Sequence, residues 1–158
     1  MKNYFTNDIF GHFTWPSLYS DMIEKFPDGS TFVEVGVLEG KSLAYLITKV
    51  IESKKDISLF AVDWFEGISS KSLNNFNNNM SLVQDKFTLI VGLSTESANK
   101  FKDKSIDFVF IDASHVYDDI REDIIAWLPK IKDGGIIAGH DYIPTYPGVV
   151  MAVNEIFG

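Results

Sequence analysis

The stretch FVFIDASHVYDD (108–119) sets Asp112 and His115 three residues apart at the end of an apolar run, and GHDY (139–142) sets His140 against Asp141 at the end of another. Imidazole is the side chain that titrates, unperturbed, between about pH 5 and 8. Beside carboxylates it suits two chemistries: removal of a proton from a hydroxyl, and ligation of a divalent ion by mixed oxygen and nitrogen donors. Glu34 lies one residue before the end of a further apolar run, VEV, and Asp63 closes another, AVD. Each of these residues also has a plainer reading. His115 can be a helix-start residue bonded to Asp118 or Asp119, and His140 can simply orient Asp141. Glu34 can tie down the N–H groups of its own loop, and Asp63 can cap the turn before Trp64. Asp118 and Asp119 fit the first turn of a helix, whose dipole they complement.

The elements that must position these groups alternate along the chain. The first fifteen residues read as irregular, and a helix starting at Pro16 places Leu18, Tyr19, Met22, Ile23 and Phe26 on one face. Strands are expected at 31–35, 58–63, 87–92, 106–112 and 136–139. Between them lie helical patterns over 42–51, within the asparagine-rich NNFNNN (74–79), over 95–101 with Ser94 as cap, and over 120–128 up to Pro129. KDGG (132–135) reads as a turn feeding the fifth strand, and the last eleven residues read as a helix after Pro147. Strands that are apolar throughout, alternating with helices, predict a parallel sheet covered on both faces. Right-handed crossovers then bring the carboxyl ends of the strands to one edge, where such sheets bind ligands. Gly36, Asp63, Gly92, Asp112, His140 and Asp141 all fall at that edge.

Composition narrows the ligand. The 158 residues carry 22 acidic and 14 basic side chains, a formal net charge of −8, and a single arginine, Arg121. That balance disfavours a nucleic-acid partner. There is no cysteine, which excludes disulfide and thiolate chemistry. No apolar run reaches membrane-spanning length and the N-terminus lacks a signal-like core, so a cytoplasmic protein is expected. In VEVGVLEGKS (33–42), Leu38 stands where a dinucleotide-binding GxGxxG pattern has its second glycine. A pyrophosphate is therefore disfavoured there, and an acid such as Glu34 is better suited to an ammonium group. Asp63, at the end of the second strand, is placed to receive the hydroxyl pair of a ribose. Trp64 and Phe65 can cover a flat ring or fold onto the core. His12 and Trp15 can belong to a segment folded over the pocket or to a surface strap.

The succession VEVGVLEGKS, AVDWFEG, FVFIDASHVYDDIREDI and KDGGIIAGHDY resembles the S-adenosylmethionine-dependent methyltransferases. More narrowly, it is similar to the branch of macrolide sugar O-methyltransferases and cephalosporin-hydroxylase-like proteins, over roughly residues 30–157. The resemblance implies a single Rossmann-like α/β domain over 30–158, preceded by an N-terminal segment and helix over 1–29. It implies S-adenosyl-L-methionine as cofactor, framed at its methionine end by Glu34, Gly36 and Gly40, at its ribose by Asp63, and at its adenine by Gly92, Leu93 and Ser94. Asp112, His140 and Asp141 are the implied ligands of a divalent metal, Mg or Mn, and His115 is the implied general base acting with Asp112. The acceptor is then a hydroxyl of a small molecule. Relatives continue past the last helix into an antiparallel hairpin that this sequence lacks, so an open sheet edge and a homo-oligomer are expected. Two other readings stay in view: a protein that binds S-adenosylmethionine without catalysis, and a nucleotide-dependent oxidoreductase on a similar sheet.

Overall fold

The apolar runs form five strands: β1 (Ser30–Val35), β2 (Ile57–Asp63), β3 (Thr88–Val91), β4 (Ile106–Ile111) and β5 (Ile131–Gly139). The structure, a computed structural model, describes residues 8–65 and 72–158. Residues 1–7 of the expected N-terminal segment, and Glu66 and Gly67 of the AVDWFEG motif, lie outside the described residues. All strand pairs are parallel, in the order β3-β2-β1-β4-β5. The chain runs outward from β1 to β3 and then crosses back to β4, so the strand order reverses between β1 and β4. That reversal leaves a crevice at the carboxyl ends of these two strands.

Among the described residues six α-helices cover the sheet: α1 (Pro16–Lys25), α2 (Lys41–Ser53), α3 (Ser72–Asn79), α4 (Ser94–Ala98), α5 (Tyr117–Trp127) and α6 (Pro147–Phe157). Side chains alternate along each strand, so one strand feeds two cores. Phe32, Phe108 and Phe110 pack with Tyr19, Leu43, Ile47 and Phe76 from α1, α2 and α3. Val33, Val35, Val109 and Ile111 pack with Ala98, Ile124, Trp127 and Val149 from α4, α5 and α6. β4 is buried at every position, which explains its unbroken apolar run. The expected class is therefore observed: a Rossmann-like methyltransferase fold, a parallel sheet with helices on both faces and, among the described residues, no antiparallel hairpin. No helix among them is long and apolar enough to cross a membrane.

Two local expectations are corrected. KDGG is not a turn before the fifth strand but a bulge inside it. Ile131 already pairs with Ile106 and Ile136 with Phe108, so residues 132–135 stand opposite Asp107 alone. The buried carboxylate of Asp107 holds the bulge, accepting from Lys132 Nζ at 2.7 Å and from the Thr31 N–H of β1 at 2.8 Å. Ser94 does not cap a helix over 95–101. The helix is Ser94–Ala98, its N-cap position is Leu93, and Ser94 Oγ instead accepts the indole N–H of the fully buried Trp127 at 2.9 Å. A buried indole needs an acceptor, and that demand outcompetes the cap.

Candidate functional site

The sheet's hydrogen bonding runs one residue past β1, β3, β4 and β5 and fixes the residues at its carboxyl edge. Gly36 N–H donates to Val62 O at 2.8 Å, Asp112 N–H to Val35 O at 2.8 Å, His140 N–H to Ile111 O at 3.1 Å and Gly92 N–H to Asp63 O at 3.0 Å. At the crevice itself β1 and β4 approach so closely that a Cβ on Gly36 would stand 2.0 Å from the Asp112 carbonyl oxygen. Gly36 also has φ +87°, so only glycine satisfies both conditions.

The loop after β1 is held from β2. Asp63 Oδ2 accepts from Val37 N–H at 2.9 Å and Leu38 N–H at 2.8 Å, and its Oδ1 accepts from Phe65 N–H at 2.8 Å. Leu38, in the position of the missing glycine, is thereby kept at φ +47°. The loop-tying role weighed for Glu34 thus falls to Asp63. Three of the roughly four acceptor positions of its carboxylate are taken, leaving room for one further donor. Gly40 begins α2 in a left-handed conformation, with Met80 against it. The asparagine-rich α3 braces the same loop: Asn75 Nδ2 and Asn79 Nδ2 donate to the side chain and main chain of Glu39 at 2.7 and 2.9 Å.

Glu34 lies inside the protein, 1% exposed, on the face covered by α1 and α2. Ser42 donates its hydroxyl to Glu34 Oε1. Glu34 Oε2, Tyr19 Oη and Trp15 Nε1 are all sealed from solvent and have no partner at hydrogen-bonding geometry. Burial pushes the Glu34 carboxyl up to about 8. The nearby hydroxyls of Ser42 and Tyr19 pull against the rise, and the charges of Asp112 and Asp63 add to it. Tyr19 is raised as well, by burial first and then by Glu34.

Across the crevice, Asp112, His115 and Asp141 each offer a ligand atom, and these atoms lie within 4.8 Å of one another. His115 Nε2 is 2.6 Å from Asp141 Oδ2, and its ring stacks on Tyr146 with centroids 4.2 Å apart at 18°. The start of α6 presses on this loop through Gly148, where a Cβ would meet the His115 carbonyl oxygen at 2.5 Å. Asp141 holds φ +61°, a conformation Asp tolerates better than most residues. Asp112 has its carboxyl raised by burial and by Asp141, against the pull of His140, His115 and His12. Two partly buried carboxylates balanced only by imidazoles form a donor set that a divalent cation fits.

His140 takes a different place from its expected neighbours. Its Nδ1 lies 3.0 Å from Asp141 Oδ1 and 3.9 Å from Asp112 Oδ1, while its Nε2 meets Thr14 Oγ1 at 3.2 Å. Its ring packs on Trp15, with centroids 4.3 Å apart. The segment before α1 therefore spans from the β1 loop, where Lys41 Nζ donates to Gly11 O at 3.1 Å, to His140 beyond β5. At the far side of the sheet, Gly92 and Leu93 follow β3, with Leu93 42% exposed and the Ser94 hydroxyl engaged by Trp127. Tyr117 and Tyr142 bond to Glu155 and Asn154 of α6. Ser114, not His115, bonds to Asp119, at 2.7 Å.

Sequence reasoning did not find Tyr146, Thr14 or Gly148. Each acts through a partner at least 31 positions away or across the fold, and the Pro-Gly pair at 147–148 signals a helix start but not what the helix touches.

A family model described as a methyltransferase domain matches residues 33–142. An uncharacterised protein of Acanthamoeba polyphaga mimivirus is 28% identical over 158 residues, covering 98% of this chain and 71% of that protein. An uncharacterised protein of Sinorhizobium fredii is 32% identical over 47 residues, 30% of this chain, and the match spans only 5% of that protein. Among solved structures, a precorrin-6y C5,15-methyltransferase from Geobacter metallireducens superposes with a TM-score of 0.69 at 16% identity, covering 96% of this chain and 73% of that one.

Proposed function

This chain belongs to the methyltransferase-domain family matched over residues 33–142, and on that premise we propose that it moves a methyl group from S-adenosylmethionine to a hydroxyl of a small molecule. The observation that carries the reading is the convergence of Asp112, His115 and Asp141 beside the Gly36 crevice.

In this reading the loop from Gly36 to Gly40 borders the methionine end of the cofactor, and Glu34 supplies the acidic group beneath it. Asp63 offers its remaining acceptor position to the ribose while holding the loop in shape, and Gly92 and Leu93 border the adenine. S-adenosylmethionine supplies the electrophilic methyl group, and a divalent ion between Asp112 and Asp141 would lower the pKa of an acceptor hydroxyl. His115 accepts the hydroxyl proton. If Asp141 takes the Nε2–H, the imidazole's basic atom is Nδ1, and the Tyr146 ring holds its plane. His140 fixes the other oxygen of Asp141. Residues 8–29 serve as a cover joined to one domain that begins at residue 30. Self-association along the open edge of β5 belongs to the same proposal and is read by light scattering.

One observation favours a second role for His115. Its nitrogen already lies with the two carboxylates, so it can be a third ligand rather than a base. Calorimetric titration with S-adenosylhomocysteine, with and without Mn²⁺, tests the whole reading. Saturable binding that Asp63→Ala abolishes is expected, and no binding in either condition overturns it. Mn²⁺ affinity of His115→Ala separates the two roles: an unchanged value fits the base, and a loss of about tenfold or more fits the ligand.

A further inference from the structure

His140 is gripped by the N-terminal segment as well as by its own strand. Its backbone N–H donates to Ile111 O, which places it one residue beyond β5. Thr14 Oγ1 lies 3.2 Å from its Nε2, and the Trp15 ring packs on its imidazole with centroids 4.3 Å apart. Trp15 is itself fixed. It is 9% exposed, immediately precedes α1, and packs on Phe110 of β4 and on Phe13 at centroid distances of 4.9 and 5.2 Å. The two residues before α1 therefore hold one imidazole, Thr14 by its edge and Trp15 by its face.

The other edge of that imidazole faces the site. Its Nδ1 lies 3.0 Å from Asp141 Oδ1 and 3.9 Å from Asp112 Oδ1. A lone pair on Nδ1 would meet two carboxylate oxygens, so a neutral ring carries its proton there, and Nε2 accepts from the Thr14 hydroxyl. Both neighbours thus select the same tautomer. In that tautomer Nδ1 has no lone pair to offer an ion. Asp141 stands between two imidazoles, with His140 at Oδ1 and His115 Nε2 2.6 Å from Oδ2. Its carboxylate plane is set from both sides, and its remaining lone pairs are left for a cation.

On the basis of the divalent-metal reading above, we propose that Thr14 is a positioning residue for Asp141. It acts through His140, whose ring it locks in the Nδ1–H tautomer against the Trp15 face. His140 then orients the carboxylate without ligating the ion itself, although it occupies a position where the sequence implies a ligand. A hydroxyl from outside the sheet thereby governs a carboxylate at the sheet's edge.

The test is long-range ¹H–¹⁵N NMR of the imidazoles at pH 8.5. The chain has three histidines, and His140→Gln identifies the signals of His140. The native protein is expected to show His140 protonated at Nδ1, before and after saturation with Mg²⁺. Thr14 is exposed, so Thr14→Val keeps the shape of the side chain and removes only the hydroxyl. That variant is expected to populate both tautomers and to bind Mn²⁺ about three- to tenfold more weakly in calorimetry, at the low end of what partners that orient metal ligands contribute. Thr14→Ser, which restores the hydroxyl, is expected to match the native protein in both readouts. Protonation of His140 at Nε2 in the native protein overturns the proposal, as does a switch to that form with Mg²⁺, which would make Nδ1 a ligand. A native tautomer or a native Mn²⁺ affinity in Thr14→Val overturns it too, and so does equal weakening by Thr14→Ser. If the native protein binds neither ion, the metal reading fails, and the tautomer in Thr14→Val still decides whether Thr14 governs His140.

Discussion

Glu34 and Asp63, two acids on adjacent strands, live under opposite conditions. Asp63 accepts three backbone N–H groups, whereas Glu34 receives one hydroxyl and is otherwise enclosed. The difference comes from position within the pleat. Glu34 is inside β1 and points to the same face as Phe32, while Asp63 is the last residue of β2 and meets the next loop. Gly36 is the tightest residue of the group. Gly36→Ala drives a methyl group into the Asp112 carbonyl at a left-handed φ, and a loss of about 2–4 kcal/mol in chemical denaturation is expected, together with loss of S-adenosylhomocysteine binding. A cost below about 1 kcal/mol would contradict the close approach of β1 and β4. The acids, histidines and glycines of the site were legible in the sequence because they interrupt apolar runs at strand ends. Their division of labour was not, since spacing places Glu34 and Asp63 at one edge but does not say which one faces the loop N–H groups.

At the scale of elements, α4 is five residues long and depends on α5 for its place. Trp127 donates to Ser94, and Asp123 lies 5% exposed beside them, its carboxyl pushed up to about 6 by burial, with Ser94 opposing and Asp119 and Glu122 adding to the rise. Asp123→Asn keeps the shape and an acceptor while removing the charge. It is expected to stabilise the protein at pH 7 by about 1–3 kcal/mol, read as a higher denaturation midpoint, with little effect at pH 4. Equal effects at both pH values would reject burial as the cause. The alternation of strands and helices was legible from apolar runs and stop signals. The β5 bulge and the α4 start were not, because KDGG carries a turn signal and Ser94 a cap signal. In both cases a distant buried partner, Asp107 or Trp127, overrules the local preference.

For the molecule as a whole, the raised carboxyls set a direction for stability against pH. Glu34 at about 8 and Asp123 at about 6 each bind a proton more tightly folded than unfolded. Their contribution is complete below about pH 4 and is lost as pH rises, through about 6 for Asp123 and about 8 for Glu34. Thermal unfolding is therefore expected at a midpoint roughly 5–10 °C lower at pH 8.5 than at pH 5, and Glu34→Gln and Asp123→Asn together should flatten the profile. A midpoint that climbs over this range would mean that other groups dominate. The bulge in β5 has a practical consequence. Asp133 is exposed there, and a Cβ on Gly134 would touch nothing within 4 Å. The chain contains no cysteine, so Asp133→Cys would create a single thiol at the sheet's amino-terminal side, away from the crevice. A fluorophore attached there gives a one-site reporter whose tumbling and energy transfer can follow assembly or ligand uptake without occupying the pocket.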